Sequence, residues 1–245
     1  MNSRQLTPEE TLTKLRTIEY PQDTNTWKVI RHDALFDEIS TQLQCNNFNI
    51  KSYDIKVDKN CHVMLAKFNI THKELPEDGV LGRTLVIQNS INKTKSVKEW
   101  TGAVVLKCLN GMIGEDVYTI GKHKHTGNNL WYNIDDITMR AINDLKTDRT
   151  FGVLKQVKDK LSNKLITRDE QNYCLGSLAD GILPIEIISN MYKYRDSETN
   201  LFPLQEDNTC TEWDMFNWGT EFIKKSHVGV QMKLYRELFK YFYNN

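Results

Sequence analysis

Apolar residues recur at helical spacing at both ends of the chain and alternate with polar residues between them. Near the N-terminus Leu12, Leu15 and Ile18 follow Thr7-Pro8-Glu9-Glu10. Thr7 suits a helix cap, Pro8 the first helical position and Glu10 the return half of a capping box. That helix should run to about Tyr20, before Pro21. A second helix, about Asp33 to Leu43, has Leu35, Phe36, Ile39 and Leu43 on one face. The period then drops to two. Phe48, Ile50, Tyr53, Ile55 and Val57 precede an Asp58-Lys59-Asn60 turn, and Cys61, Val63, Leu65, Lys67 and Phe68 carry the return, which reads as a hairpin. Segments 83–89, 99–107 and 117–124 are also β-rich, with Asn110-Gly111 and Gly121 supplying turn or bulge chemistry. This makes about five strands between 47 and 125.

Beyond Trp131 the pattern is helical again. Asn133-Ile134-Asp135-Asp136 reads as the cap of a long helix bearing Ile137, Ala141, Ile142 and Leu145. Thr167 with Glu170, and Thr211 with Asp214, mark two further helix starts. Residues 195–210 read as a polar loop, and QMKLYRELFKYFYNN closes the chain as an amphipathic helix. In the segment from Trp213 to His227, Trp213, Asn217, Thr220 and Glu221 share a helix face and read as a structural clamp that docks on the sheet. Helices, then antiparallel strands, then helices predict an α+β fold. The expectation is one domain over 1–245, with a strand core at about 47–125 and a helical part at about 132–245.

Zero net charge on 245 residues confines any basic surface to a local patch. No apolar run approaches the roughly 20 residues that span a membrane, and MNSRQLTPEE lacks the basic-then-apolar order of a signal peptide. The five cysteines are scattered, without CxxC spacing. These features lead us to expect reduced thiols, a cytoplasmic protein and no membrane partner.

Cys108, His123 and His125 have the side chains zinc uses, but C-x14-H-x-H matches no zinc spacing. A Cys108–His pair for nucleophilic catalysis lacks a third orienting group in the sequence. P-loop, GxGxxG and HExxH motifs are absent. The expectation is therefore no metal and no cofactor. Charge is more informative. From 83 to 128 the cations are Arg83, Lys93, Lys95, Lys98, Lys107, Lys122 and Lys124, against Glu99, Glu115 and Asp116, a local +4. Lys122 and Lys124 alternate with His123 and His125, so one strand face should carry ammonium groups and the other imidazoles. Trp100 and Trp131 flank the segment. Cations along a backbone path, with rings to stack on bases, are what single-strand binding needs.

Three segments, RTLVIQNSINKTKSV, LKCLNGMIG with KHKHTGN, and EWDMFNWGTEFIKKSH, together resemble the phage- and plasmid-encoded family catalogued as domain of unknown function 932. Where that family reads Asn-Ser-His-Asp-Gly, this chain has Asn89-Ser90-Ile91-Asn92-Lys93. The resemblance implies a mobile-element context. The element order is also similar to the core of phage single-strand annealing recombinases, which implies a homo-oligomer, a ring among its forms, with a basic groove for single-stranded DNA. The leading expectation is thus a single-stranded DNA-binding and annealing protein of recombination or replication. Lys93, Lys95, Lys107, Lys122 and Lys124 would contact phosphates, Arg83 would contact phosphate or stack, and His123, His125, Asn128 and Trp131 would shape the groove or meet bases. Asn110-Gly111 and Thr126-Gly127-Asn128 would be turns whose N–H groups approach phosphate. Two alternatives stay open: a nucleic-acid- or nucleotide-acting enzyme using Cys108, His125 and Glu221, and a structural or host-interaction protein.

Overall fold

The structure is a computed structural model that describes residues 6–107, 110–112, 119–126 and 129–244. It is α+β, as the element order predicts. The described residues form helices α1 (Pro8–Thr17) and α2 (His32–Cys45), then strands β1 (Phe48–Val57), β2 (Val63–His72), β3 (Leu81–Ser90), β4 (Val97–Val105), β5 (Asn110–Met112) and β6 (Thr119–His123). Helices α3 (Leu130–Lys146), α4 (Arg149–Ser162), α5 (Arg168–Ala179), α6 (Ile185–Arg195), α7 (Glu212–Ile223) and α8 (Val228–Asn244) follow, with short strands β7 (Leu165–Ile166) and β8 (Cys210–Thr211) among them. No helix among the described residues is long and apolar enough to cross a membrane.

The chain divides into two compact units. The first comprises Met1–Asp78, Gly82–Thr101 and Tyr118–Arg149. Its strands are antiparallel, in the order β1-β2-β3-β4, with β6 also pairing β4. One face of this sheet carries Phe48, Ile55, Met64, Ala66, Phe68, Leu85, Ile87 and Val97, and packs with Leu12 and Leu15 of α1, Leu35, Phe36, Ile39 and Leu43 of α2, and Ile134, Ala141, Ile142 and Leu145 of α3. The capping box at Thr7 and Glu10 forms as expected. Helix α1 stops at Thr17, not Tyr20: Ile18 is already extended, with ψ 150°, and the Tyr20 hydroxyl donates to the Leu15 carbonyl at 2.9 Å, one of the carbonyls that the helix end leaves without a helical N–H. Helix α3 starts one turn before the Asn133 cap that the sequence suggests: Leu130 and Ile134, four residues apart, are both core residues, and burying Leu130 draws the first turn in.

Polar side chains also point into this face. The Arg83 guanidinium makes a two-pronged pair with Asp148 at 2.6 Å on each arm and donates to the Pro76 carbonyl at 2.9 Å. Thr101 donates to Asp144 at 2.5 Å, and the Thr138 hydroxyl lies 2.8 Å from Glu99. Gly121 lets α3 pack closely on β6, since a Cβ there would overlap the Ile137 side chain.

The second unit comprises Gly79–Leu81, Gly102–Val117 and Thr150–Asn245. Here Ala103, Val104 and Val105 of β4 pair with Met112, Gly111 and Asn110, so Asn110-Gly111 is a strand and not the expected turn. Helices α7 and α8 pack on β5 and on each other. Capping boxes form at Thr167 with Glu170 and at Thr211 with Asp214. Trp218 is fully buried and donates to the Phe202 carbonyl at 3.0 Å. Helix α7, the segment expected to clamp onto the sheet, also makes bonds within itself. Asn217 donates to the Trp213 carbonyl and Thr220 to the Asn217 carbonyl, both within α7, while Glu221 pairs with Lys224 and Lys225.

Asp148→Asn should test the Arg83 pair. Asp148 has φ +54°, which asparagine tolerates, so the substitution removes charge without backbone strain. Leaving a buried guanidinium short of its carboxylate should cost about 3 kcal/mol, read from urea unfolding.

Candidate nucleic-acid interface

The pairing of β4 with β6 sorts the candidate residues. Val97 faces His123, Lys98 faces Lys122 and Glu99 faces Gly121. Directly opposed residues share a sheet face. Val97, Glu99 and His123 therefore lie on the face that packs α3, and Lys98 and Lys122 stand side by side on the other. Lys122 and Lys124 are exposed and His123 is half-buried, which is the split that alternation predicts. Lys93 and Lys95 are exposed on the loop between β3 and β4. Lys95, Lys122 and Lys124 form no ion pair with any described residue.

Lys93 has φ +66° and its ammonium lies 5.2 Å from the centre of the Trp27 ring, a cation–π contact. Trp27 in turn stacks on His125, with centroids 5.7 Å apart. Lys98 similarly covers the Trp100 ring at 5.5 Å. Trp131 is 43% exposed in the first turn of α3, beside the more exposed Tyr132.

Two residues expected at the interface are not surface groups. Arg83 is 3% exposed, its donors taken by Asp148 and Pro76, so it is withdrawn from any phosphate or base. His125 is likewise 3% exposed. The Lys28 N–H donates to the His125 carbonyl at 2.7 Å, and His125 Nδ1 lies 3.1 Å from the Lys28 carbonyl. A carbonyl can only accept, so Nδ1 carries the proton. These bonds and the Trp27 stack offset the cost of burial, and burial lowers the His125 pKa. Lys107 belongs to the second unit, exposed and 5.3 Å above the Phe202 ring. Asn128 lies outside the described residues, as do Cys108 and Gly127. Of the three groups the enzyme alternative used, His125 is buried and Glu221 is ion-paired.

Two groups that the sequence reading did not single out are strongly perturbed in this unit. Glu99 is fully buried, and desolvation pushes its carboxyl up to about 8. The local geometry agrees with a neutral acid. The Thr138 hydroxyl has one proton yet lies 2.8 Å from Glu99 Oε1 and 3.0 Å from the Ile134 carbonyl. It serves both only if Glu99 donates to it while it donates to Ile134. His32, also fully buried, places Nε2 3.1 Å from the Cys61 carbonyl and Nδ1 3.0 Å from the Asn89 side-chain amide, which also donates to the Ile30 carbonyl. Desolvation holds its pKa down at about 4. The inward parity of Glu99 with Val97 and Thr101 was a signal available in the sequence. Nothing local to His32 marked it, because its partners lie at positions 61 and 89.

Among the described residues, His, Cys, Asp and Glu side chains form no group of three or more able to hold a metal ion. The chain matches no protein-family model, no curated protein and no solved structure.

Glu99 sets a pH dependence. Its folded pKa lies above the ordinary carboxyl value, so its contribution to stability is complete below about pH 4.5 and is lost as pH rises through about 8. The loss is bounded at about 5 kcal/mol. Glu99→Gln should flatten the stability profile between pH 5 and pH 8 in urea titrations, whereas an unchanged slope would place the titration elsewhere.

Proposed function

We propose that the protein binds single-stranded DNA and promotes strand annealing in the recombination or replication of a phage or other mobile element. The observation that carries this reading is the set of exposed lysines in the first unit, Lys93, Lys95, Lys122 and Lys124, of which Lys95, Lys122 and Lys124 form no ion pair with any described residue. On a chain of zero net charge such a set makes a local basic surface that phosphate groups can meet. The exposed ring of Trp131 supplies a surface on which a base can stack. The expected resemblance to annealing proteins adds the homo-oligomer to the proposal, which gel filtration with and without DNA addresses. Lys107 stays with it as a phosphate contact in the second unit.

Counterion release provides the test. Lys93, Lys95, Lys122 and Lys124 together should give a slope of log affinity against log salt of about −2.8 on oligo-dT, at about −0.7 per contact. Replacing Lys122 and Lys124 together by glutamine should flatten the slope by about 1.4. Trp131→Ala should instead cost about 1–3 kcal/mol with little change in slope. No measurable binding at low salt overturns the proposal, and binding with an unchanged slope in the double variant moves the groove to Lys51, Lys56 and Lys67 of the first hairpin.

A further inference from the structure

Lys93 differs from the other exposed lysines of the first unit in how firmly its surroundings hold it. It stands at φ +66°, a region that residues other than glycine rarely occupy. The loop on either side of it is pinned. The Ile91 N–H donates to the His62 carbonyl at 2.9 Å, and Asn92 Oδ1 accepts from the Ser90 hydroxyl at 2.7 Å, the Thr94 hydroxyl at 2.6 Å and the Thr94 N–H at 3.3 Å. From this fixed backbone the Lys93 side chain reaches Trp27, with its ammonium 5.2 Å from the ring centre. Lys95, two residues on in the same loop, is exposed and has no ion pair or ring contact among the described residues.

Trp27 is itself fixed. The Thr24 N–H donates to its carbonyl at 2.8 Å, the neighbouring Lys28 N–H donates to the His125 carbonyl at 2.7 Å, and the indole stacks on the His125 ring. The Trp27 side chain is buried, and its Nε1–H has no hydrogen-bond partner among the described residues. An unmatched buried N–H carries a desolvation cost that a phenylalanine or leucine here would avoid. What the indole offers in return is its face, the best of the aromatic faces for holding a cation. Burial holds the stacked His125 toward its neutral form, which keeps a second positive charge away from the ammonium. An ammonium has three N–H groups, so Lys93, which is exposed, can rest on the ring and still donate to an acceptor on its open side.

We propose that Trp27 is a positioning residue for nucleic-acid binding: it holds the Lys93 ammonium in place before the strand arrives and makes Lys93 the anchoring phosphate contact of the lysine set. The inference rests on the single-strand reading above. A mobile lysine that meets a phosphate loses side-chain freedom, and association is weakened by that loss. Lys93 has given up that freedom on folding. Counterion release is the same for every lysine, since it depends on charge and not on mobility. The advantage of Lys93 therefore lies in the affinity and not in the salt slope.

The test measures binding of oligo-dT by fluorescence anisotropy across a salt series, for the full chain, Lys93→Gln and Lys95→Gln, each with and without Trp27→Leu. Both lysines are exposed, so the single lysine variants should fold. Each should flatten the slope by about 0.7. At one salt concentration Lys93→Gln should weaken binding about two- to tenfold more than Lys95→Gln, the range that ordering one flexible side chain spans. Trp27→Leu should close that gap and leave the slope where it was. A purely structural role for Trp27 would instead weaken all three chains alike and keep the gap. If circular dichroism shows that Trp27→Leu does not fold, Trp27→Phe takes its place, and its weaker hold on a cation should narrow the gap. Equal losses at Lys93 and Lys95, or a gap that the Trp27 substitution leaves unchanged, overturns the positioning role and leaves the single-strand reading standing. No binding by the wild type at low salt overturns both.

Discussion

Helix α3 is tied to its sheet by a row of polar contacts set within an otherwise apolar layer. Arg83 on β3 meets Asp148 just past the end of the helix, Thr101 on β4 meets Asp144, and Glu99 on the same strand meets Thr138. Apolar packing alone would let a helix slide or rotate at small cost, because hydrophobic contact has no direction. Hydrogen bonds have direction, and an unmatched buried polar group is costly, so only one placement of α3 satisfies all three. The same helix closes on Gly121 and carries Trp131 in its first turn. The exposed ring and the lysine strand thus take their positions from this row of contacts.

Glu99 and His32 give that interior an unusual electrostatic character. Each is fully buried, and each is driven by desolvation toward its uncharged form, the acid from below and the base from above. Their pH responses oppose one another. His32 has a folded pKa of about 4 against an ordinary 6.5, so its contribution is whole above 6.5 and declines as pH falls toward 4. Glu99 loses its contribution in the opposite direction. For these two groups taken together, the interior is most comfortable between their ordinary values, on the mildly acidic side of neutrality.

Most of the architecture was legible because it rests on local signals. Capping boxes at Thr7, Thr167 and Thr211 are four-residue patterns that the structure reproduces. The alternation of Phe48, Ile50, Tyr53, Ile55 and Val57 specified a hairpin without reference to the rest of the chain. Non-local competition explains the misses. Asn110-Gly111 has turn chemistry, yet Val104 and Val105 recruit it as a strand. Arg83 and His125 have the residue types of a nucleic-acid surface, and whether they are exposed was decided by Asp148 and by Trp27 and Lys28, at distances of 65 and about 97 residues. For charged and aromatic residues identity leaves burial undetermined, since both solvent and a matched partner satisfy them. The lysines were easier because a flexible ammonium seldom finds a buried match, and Lys93, Lys95, Lys122 and Lys124 are all exposed.

The ladder between β4 and β6 contains an irregularity: Glu99 pairs with Gly121, but Trp100 pairs with Thr119, so Ile120 has no opposite number. Strand β6 therefore carries one residue more than its partner requires, and the surplus is taken up where it stands. With Trp100 opposite Thr119 on one side of Ile120 and Glu99 opposite Gly121 on the other, loss of Ile120 would close the ladder and leave Lys122 opposite Lys98, on the face it already occupies. Among natural variants of this chain, position 120 is accordingly where β6 should best absorb a change of length.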